Sequence, residues 1–257
     1  MNTAKDDRYF CQRILSEIGE KGQRRLAGAS VLIAGCGALG SNSAETIASA
    51  GIGRITLVDH DRVELSNLQR QVLMTEDDVG RPKAKVVAEL LGKINSQIEI
   101  GYEITRVDKE NVERLVRNID LVLDGFDNLP SRYLLNDACV KHAIPWVFAT
   151  VAGTYGITMP ILPGQGPCLR CLLPDPAPEE VVLTARNAGL INTIARAIAA
   201  IQTTQAMRIL LGSPDYPVKL VTYDIWQASF SAQEILRNED CLCCCKGRYE
   251  FLELEDA

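Results

Sequence analysis

Histidine and aromatic residues are scarce in this sequence, and long apolar stretches are missing. Among its 257 residues are two histidines, and aromatic residues account for 5%. A mechanism driven by a histidine base is therefore disfavoured, and we interpret His60 and His142 as surface or packing residues. The longest apolar stretch, 191–201, contains arginine and threonine and is too short to span a bilayer. Residues 1–22 lack the apolar region of a signal peptide, so we expect a soluble cytoplasmic protein with no membrane partner.

The overall charge is acidic. The formal net charge is −6, whereas proteins that bind nucleic acid cluster lysine and arginine against the phosphate backbone. Nucleic acid is therefore not expected as a partner. Hydrophobic residues make up 47% and charged residues 23%, as in ordinary globular domains, and the length allows a core without disulfides. In a compartment that keeps thiols reduced, the nine cysteines are better interpreted as metal ligands or core residues.

Short apolar segments alternate with helical ones in the first part of the chain. Apolar runs without polar alternation are typical of parallel strands that are buried on both faces. Strands are predicted at 31–35, 55–59, 98–104 and 120–124. Helices are predicted at 8–26 (with a glycine break), 38–50, 83–93, 109–116 and 131–141. This alternation predicts βαβ units with right-handed crossovers.

The pattern changes after Pro145. Two consecutive strands, a long loop, a long helix and an antiparallel hairpin are predicted, at 146–150, 155–162, 163–189, 192–211, 218–223 and 228–236. We therefore predict an α/β fold in which a Rossmann-like doubly wound sheet continues into a mixed or antiparallel C-terminal half. The chain would form a single domain over 1–257, with an N-terminal helical segment, a nucleotide-binding half and a second half at 1–27, 28–145 and 146–257.

A glycine-rich segment lies between the first predicted strand and helix. It reads Gly35-Cys36-Gly37-Ala38-Leu39-Gly40, the GxGxxG pattern. Glycines let the backbone turn tightly and approach a phosphate, and the helix N-terminus offers free N–H groups. Asp59 ends the second strand, where a carboxylate binds a ribose hydroxyl. The segment therefore predicts a nucleotide site.

A dense polar cluster follows the second strand. It consists of Asp61, Ser66, Asn67, Leu68, Gln69, Arg70 and Gln71. A nicotinamide enzyme has no use for such a cluster, which disfavours the oxidoreductase that GxGxxG alone would suggest. Arg70 and Lys83 would bring two cations to the phosphates. Asp127 and Asn128 follow the fourth strand at the carboxyl edge, where a carboxylate suits a Mg²⁺ ligand.

Six of the cysteines lie in two groups. Cys168 and Cys171 form one CxxC pair, and Cys241 and Cys244 form a second within a run that also contains Cys243 and Cys245. Four thiolates suit a tetrahedral structural zinc site. The interval between the pairs exceeds that of a zinc ribbon, so spacing alone is moderate evidence, and the extra thiols leave the register of the second pair open. Cys36 and Cys139 are interpreted as small core residues.

Taken in order, these motifs resemble the ThiF/MoeB/HesA family, the bacterial relatives of ubiquitin-activating enzymes. The resemblance covers about residues 8–252, and the stretches 146–156 and 223–226 look slightly closer to thiazole-pathway members of the family. It rests on Arg8-Tyr9 with Gln12, Ile18-Gly19, Gly22-Gln23, the glycine-rich segment, Asp59-His60-Asp61, residues 66–71 (SNLQRQ), Gly80-Arg81-Pro82-Lys83, residues 124–128 (DGFDN) and the two CxxC pairs.

The resemblance implies an enzyme that transfers AMP from Mg-ATP to the C-terminal glycine carboxylate of a small ubiquitin-like sulfur carrier such as ThiS or MoaD. Pyrophosphate leaves, and no general base is needed because the carboxylate is already ionised near pH 7. Asp59 would hold the ribose, Ala38 and its neighbours would line the nucleotide, and Asp127 would bind Mg²⁺. Contacts to the phosphates would come from Asn67, Arg70 and Lys83. Arg70, Lys83 and Asp127 are thus the catalytic candidates.

The family further implies a zinc ion on Cys168, Cys171, Cys241 and Cys244, a carrier whose tail ends in Gly-Gly, and a homodimer with two ATP sites. Residues 146–257 would form the carrier-binding half with the zinc knuckle. Thiamine and molybdopterin pathways both remain open.

Two positions depart from the family pattern. Many relatives carry a cysteine where this chain has Ala185, so a covalent thiol intermediate at that position is excluded, and a separate sulfurtransferase could supply the sulfur. Relatives also carry an arginine that reaches the neighbouring subunit's ATP site, where this chain has Cys11. Arg13 could compensate; otherwise the enzyme is slower, since such arginines contribute about 10³–10⁵ in the best-studied phosphoryl transfers.

Other functions remain open. The same fold could activate a peptide C-terminus or a carboxylate on tRNA, although the acidic charge disfavours tRNA. It could also serve as a non-catalytic scaffold that holds a ubiquitin-like partner. Pyrophosphate exchange that depends on a carrier separates these alternatives.

Overall fold

The computed structural model describes residues 7–174, 176, 183–185, 187–212 and 218–253. Part of the predicted loop 163–189 lies outside these residues. In the part of the chain that is described, every helix is too short or too polar to cross a membrane.

A single eight-stranded sheet organises the described residues. The order of its strands is β3-β2-β1-β4-β5-β6-β7-β8. Strands β1 to β5 pair in parallel, and β5 to β8 pair antiparallel. The strands are β1 Ser30–Ala34, β2 Arg54–Val58, β3 Glu99–Glu103, β4 Leu121–Asp124, β5 Trp146–Ala152, β6 Tyr155–Ile161, β7 Lys219–Asp224 and β8 Ser229–Glu234. The predicted doubly wound sheet with an antiparallel continuation is confirmed.

Helices cover both faces of the parallel part of the sheet. They are α1 Phe10–Arg13, α2 Gly19–Gly28, α3 Ala38–Ala50, α4 Lys83–Ile94, α5 Val112–Val116, α6 Leu129–Lys141, α7 Leu169–Leu172, α8 Asn192–Leu210 and α9 Glu250–Glu253. Short 3₁₀ helices lie at Leu65–Asn67 and Glu76–Asp78. The division of the chain at 27 and 145 into three parts stays a prediction.

The apolar runs become strands because both faces of the sheet are buried. In β1, Val31 and Ile33 join the core cluster formed with α3 and α4, whereas Leu32 and Ala34 join the cluster formed with α5 and α6. Successive side chains of a strand point to opposite faces, so a strand between two helical layers needs apolar residues at every position. This explains why the sequence shows no polar alternation there.

Helix α8 packs on the sheet beside α3. Ile194 and Ile198 of α8 form a third buried cluster with Leu39 of α3 and Ala149 of β5. The two helices thereby cover the place where the parallel strands give way to antiparallel ones.

The N-terminal prediction needs correction. Instead of one helix with a glycine break over 8–26, the chain forms the short α1, a turn over 14–18 and then α2, which contains Gly22 in its interior. Ile14 and Leu15 are exposed in that turn, whereas Ile18 packs against the core. The helix predicted at 109–116 likewise begins only at Val112, after a turn in which Asp108 accepts amide hydrogen bonds from residues 110 and 111.

Candidate active site and cysteine cluster

The glycine-rich turn lies where the strand order reverses. Strand β1 pairs with β2 on one side and β4 on the other, and ligands bind at such switch points in open α/β sheets. Gly35 has φ +97°, and a Cβ on it would lie 2.6 Å from the carbonyl oxygen of Gly125. A Cβ on Gly40 would lie 1.8 Å from the Gly35 carbonyl oxygen. The two loops therefore touch through backbone, which leaves the N-terminus of α3 open at the sheet edge.

Leu39 occupies a different place from the other residues of the predicted nucleotide-binding turn. Its side chain is 4% exposed and packs against α8, so the backbone is the part of Leu39 left for a ligand. Gly37 and Ala38 are partly exposed at the start of α3. Because the first N–H groups of a helix have no intrahelical partner, this end suits an anion.

Asp59 braces the turn from the end of β2. Its Oδ2 accepts the amide N–H of Cys36 at 2.6 Å, and its Oδ1 accepts the amide N–H of Asp61 at 2.7 Å. Burial raises the pKa of Asp59 above its usual value, and the two amide hydrogen bonds oppose that shift. Each carboxylate oxygen has further lone pairs, so a ribose hydroxyl could still donate to Asp59.

Lys83 and Asp61 form the charged pair of this edge. The Lys83 ammonium lies 2.9 Å from Asp61 Oδ2, and the Lys83 amide also donates to the Asp61 carbonyl oxygen. Only 8% of the Lys83 side chain is exposed, against 44% for Asp61. Lys83 can therefore contact an anionic ligand as well as Asp61, since water still hydrates the Asp61 carboxylate.

The segment 66–71 forms a compact loop after β2. Asn67 is buried, and its side chain accepts the Glu64 amide N–H and donates to Ser66 Oγ. Arg70 is partly exposed, and its guanidinium donates to the Ser66 carbonyl oxygen at 2.8 Å. Gln71 is 3% exposed, and its side-chain oxygen has no hydrogen-bond partner among the residues that the structure describes. The loop thus presents a cation held by one backbone contact.

Leu68 and Gln69 tie this loop to the rest of the chain. Leu68 packs against the core cluster of α3 and α4. The Gln69 amide donates to the carbonyl oxygen of Leu190 at 3.2 Å, and Leu190 bridges Gly153 at the β5–β6 turn. Of the predicted binding residues, these two act in the structure as anchors.

Asp127 and Asn128 lie between β4 and α6. Asp127 is exposed and its carboxylate accepts a hydrogen bond from Asn128 at 3.3 Å. Asn128 is the N-cap of α6, because its side-chain oxygen accepts the Ser131 amide N–H at 2.9 Å. The structure therefore places Asp127 at the carboxyl edge and gives Asn128 a capping role. Arg70, Lys83 and Asp127 sit on three separate elements at that edge.

A buried ion pair that the sequence analysis missed supports the β4 loop. Arg132 and Asp124 are 3% and 0% exposed, and Arg132 Nε lies 2.8 Å from Asp124 Oδ2. Gln202 of α8 donates to the carbonyl oxygens of Asp124 and Val147, and Ser43 Oγ donates to its side-chain oxygen. The sequence carried little signal for this pair, because α6 and α8 contain several other polar residues besides Arg132 and Gln202.

Four cysteines come together beside the turn of α6 that contains Asn136. The Sγ atoms of Cys168, Cys171, Cys241 and Cys244 all lie within 4.8 Å of one another. Cys168 lies 3.6 Å from Cys241, and Cys171 lies 3.5 Å from Cys244. A tetrahedral ion with bonds of about 2.3 Å to sulfur would set such distances near about 3.8 Å. The four thiols therefore fit a tetrahedral metal.

Of the clustered cysteines near the C-terminus, Cys241 and Cys244 are the two that converge with Cys168 and Cys171. Cys243 is fully buried, and it accepts a hydrogen bond from Asn136 at 3.3 Å. The hydrogen bond with Cys168 and burial raise the pKa of Cys243 well above the usual value, whereas hydrogen bonds from Cys171 and Cys243 lower the pKa of Cys168 to about 6. Cys245 donates to the carbonyl oxygen of Asn238. Neither Cys243 nor Cys245 belongs to the group of four.

Helix α6 reaches from the β4 loop to this cluster. Asn136 accepts the Leu169 amide N–H at 2.9 Å, and Asp137 accepts the Phe251 amide N–H at 3.0 Å. Both knuckles and α9 are therefore fastened to the same turn of α6.

The remaining sequence predictions concern isolated residues. Cys36 and Cys139 are fully buried, and burial raises the pKa of both thiols, as expected for inert core residues. His60 is exposed, and His142 contacts Glu113 at 2.7 Å. Arg13 pairs with Asp7 and Glu20 of its own chain.

A glycine-rich turn at the switch point of a doubly wound sheet, with a buried lysine beside it, defines an α/β protein built to bind a phosphorylated ligand. The model of the ThiF family matches residues 9–244. The chain belongs to the ThiF family, which confirms the resemblance seen in its motifs.

Relatives and solved structures agree with this placement. The chain is 38% identical over 253 residues to the sulfur carrier protein ThiS adenylyltransferase of Bacillus subtilis, covering 97% of this chain and 74% of the relative. It is 39% identical over 244 residues to a sulfur carrier protein adenylyltransferase of Thermus thermophilus, covering 93% and 90%. The crystal structure of E. coli MccB shares the fold, with TM-score 0.81 and 24% identity over 95% of this chain and 74% of that one.

Proposed function

We propose that this chain is an adenylyltransferase that uses ATP to activate the C-terminal carboxylate of a small ubiquitin-like sulfur-carrier protein. The observation that carries the proposal is the buried Lys83 ammonium beside Asp61 at the open end of the glycine-rich turn. Relatives that match nearly the whole chain at 38% and 39% identity are named sulfur carrier protein adenylyltransferases, which selects this reaction among those that need a phosphate site.

The chain's own groups have distinct roles in this proposal. The N–H groups at the start of α3 receive the nucleotide phosphates, and Asp59 accepts a ribose hydroxyl. Lys83 and Arg70 contact the triphosphate, and Asn67 holds the loop from which Arg70 projects. Asp127 is the residue that would hold Mg²⁺, which neutralises charge on the phosphate oxygens when bound.

The reaction is an in-line displacement. A carboxylate oxygen of the carrier's terminal glycine forms a bond to the α-phosphorus, and the bond from that phosphorus to the bridging oxygen breaks. Pyrophosphate leaves with the electron pair, and the product is an acyl-adenylate. Negative charge grows on the bridging oxygen, so fixed cations stabilise the transition state more than the ground state. No proton is transferred, so the proposed reaction needs no general base.

The partner is a carrier whose flexible tail ends in Gly-Gly. Ala185 has no thiol to capture the activated carboxylate, so the acyl-adenylate would pass to a separate sulfurtransferase.

We also propose a homodimer. Arg13 is held by two carboxylates of its own chain, so its transfer to a neighbouring site would require those ion pairs to break.

Zinc is the metal we propose for the four-cysteine cluster. Cys168, Cys171, Cys241 and Cys244 provide four sulfur ligands, the set that structural zinc sites use. The ion would fasten α7 to the C-terminal segment without taking part in adenylyl transfer.

Exchange of radiolabelled pyrophosphate into ATP tests the proposal. We expect exchange that needs Mg²⁺ and a carrier ending in Gly-Gly, and none with a carrier that lacks the last glycine. ATP binding without exchange for any carrier would instead favour a scaffold that holds a ubiquitin-like protein. Exchange supported by a short peptide alone would move the substrate class to peptide C-termini.

A further inference from the structure

The backbone before Asp127 is held from two directions by one ion pair. The Asp124 Oδ1 atom accepts the Phe126 amide N–H at 2.9 Å. The Arg132 Nη2 atom donates to the Phe126 carbonyl oxygen at 2.5 Å and to the Ala149 carbonyl oxygen at 3.0 Å. Both peptide groups that flank Phe126 are therefore fixed by buried charges, and Asp127 is the next residue along the chain.

The backbone after Asp127 is fixed as well, by the Asn128 cap on Ser131. Asp127 itself is exposed. Its carboxylate is thus an exposed group on a short loop with rigid supports on either side. The direction in which it points depends on those supports, because the Asp127 side chain has few contacts of its own.

We propose that Arg132 is a positioning residue for the adenylyl transfer: it fixes the loop so that the Asp127 carboxylate faces the metal and triphosphate. This inference rests on the proposed function. The planar guanidinium suits the task, because it pairs with Asp124 through one nitrogen and reaches two carbonyl oxygens with another. A lysine carries the same charge but lacks this rigid fork. Arg132 also lies over the Phe148 ring, at 5.5 Å from its centroid, which restricts its orientation.

Gln202 extends the support to the second half of the chain. It donates at 2.9 Å to the carbonyl oxygens of Asp124 and Val147. Since Val147 belongs to β5 and Gln202 to α8, Gln202 joins the end of β4 to both of these elements. Loss of Gln202 should therefore loosen the loop in the same sense as loss of the Arg132 fork, but less.

The test compares Arg132→Lys with wild type in pyrophosphate exchange at varied ATP and Mg²⁺. A displacement of about 1 Å at a reacting group lowers the rate roughly 100-fold. We therefore expect kcat to fall roughly 10- to 100-fold, while KM for ATP changes little. Hydrogen exchange measured by mass spectrometry on peptides covering 124–128 should become faster, because Asp124, the acceptor of the Phe126 amide, and the Phe126 carbonyl oxygen both lose the Arg132 guanidinium that holds them. Gln202→Leu should change both readouts in the same direction.

Leu135→Ala is the matched control. Leu135 is 1% exposed on the same helix and packs in the cluster below the sheet, so its truncation lowers the melting temperature without touching the loop. We expect its kcat to stay within about threefold of wild type, a change too small to indicate lost transition-state stabilisation. An equal loss of kcat in Leu135→Ala and Arg132→Lys would mean that general destabilisation explains the effect, and would overturn the positioning role.

Two further results would overturn the proposal. One is an Arg132→Lys enzyme with wild-type kcat, and the other is unchanged hydrogen exchange over 124–128. Failure of the proposed function is distinguishable, since wild type would then show no exchange with any carrier. In that case calorimetric titration of ATP with and without Mg²⁺ decides the inference. If Mg²⁺ tightens ATP binding equally in wild type and Arg132→Lys, the role of Arg132 is refuted.

Discussion

Lys83→Met isolates the charge that the proposed chemistry depends on. The Lys83 side chain is 8% exposed, whereas its partner Asp61 has 44% of its side chain exposed to water. Methionine has similar length, so the change removes a buried cation and leaves a hydrated carboxylate behind. We therefore expect the free energy of unfolding to change by less than about 1 kcal/mol, because an ion pair with one exposed partner contributes little.

The effect on catalysis should be far larger. Removing one fixed donor from a site where charge develops costs roughly 10²–10³ in kcat, about 2.7–4 kcal/mol of barrier. Carrier-dependent pyrophosphate exchange measures this loss, and thermal melting measures the fold. Lys85→Met is the matched control, since Lys85 lies two residues further along α4 and is exposed. Exchange by Lys83→Met within threefold of wild type would refute the reasoning, as would an equal loss in Lys85→Met.

Three further predictions concern the fold and the metal. Gly40→Ala should destabilise the protein by about 1–3 kcal/mol or more and abolish nucleotide binding, because its Cβ would lie 1.8 Å from a backbone oxygen. Gly92→Ala is the control: its Cβ would meet no atom of the described residues within 4 Å, so this variant should melt no lower than wild type. Cys241→Ser should lose bound zinc and melt lower, whereas Cys245→Ser should keep both by elemental analysis and calorimetry; equal zinc in the two variants would contradict the ligand set. Hydrogen bonds from the lysine and histidine at the end of α6 lower the pKa of Glu113 below 4.5, so its stabilisation is present above about pH 4.5 and is lost as pH falls through the lowered value. The stability difference between wild type and Glu113→Gln should therefore shrink in acid, and a constant difference would argue against this ion pair.

The sheet and its nucleotide edge were predictable because they depend on local patterns. Runs such as 31–35 are apolar at every position, which only a strand between two layers requires. The glycine-rich turn and Asp59 follow such strands directly, so their meeting at one edge follows from parallel pairing. The same reasoning predicts Asp127 at this edge, and in the structure it lies in the loop that follows β4.

The supports of the site were not predictable in this way. Asp124 and Arg132 pair because β4 and α6 fold back on each other, and Gln202 meets them from a helix far along the chain. A buried polar side chain needs a hydrogen-bond partner, but the sequence does not say which residue provides it. The cysteine register was open for the same reason: the turn over 241–245 decides which thiols converge.

Helix α6 spans 13 residues, about 20 Å at 1.5 Å per residue, and it carries the cap beside Asp127 at its start and the fasteners of both cysteine knuckles further along. The knuckles therefore cannot be treated as an appendage in protein engineering. A chimera that exchanged the C-terminal tail with that of a relative would also have to include the matching face of this helix. Otherwise the new tail would lack the α6 side chains that hold it in place.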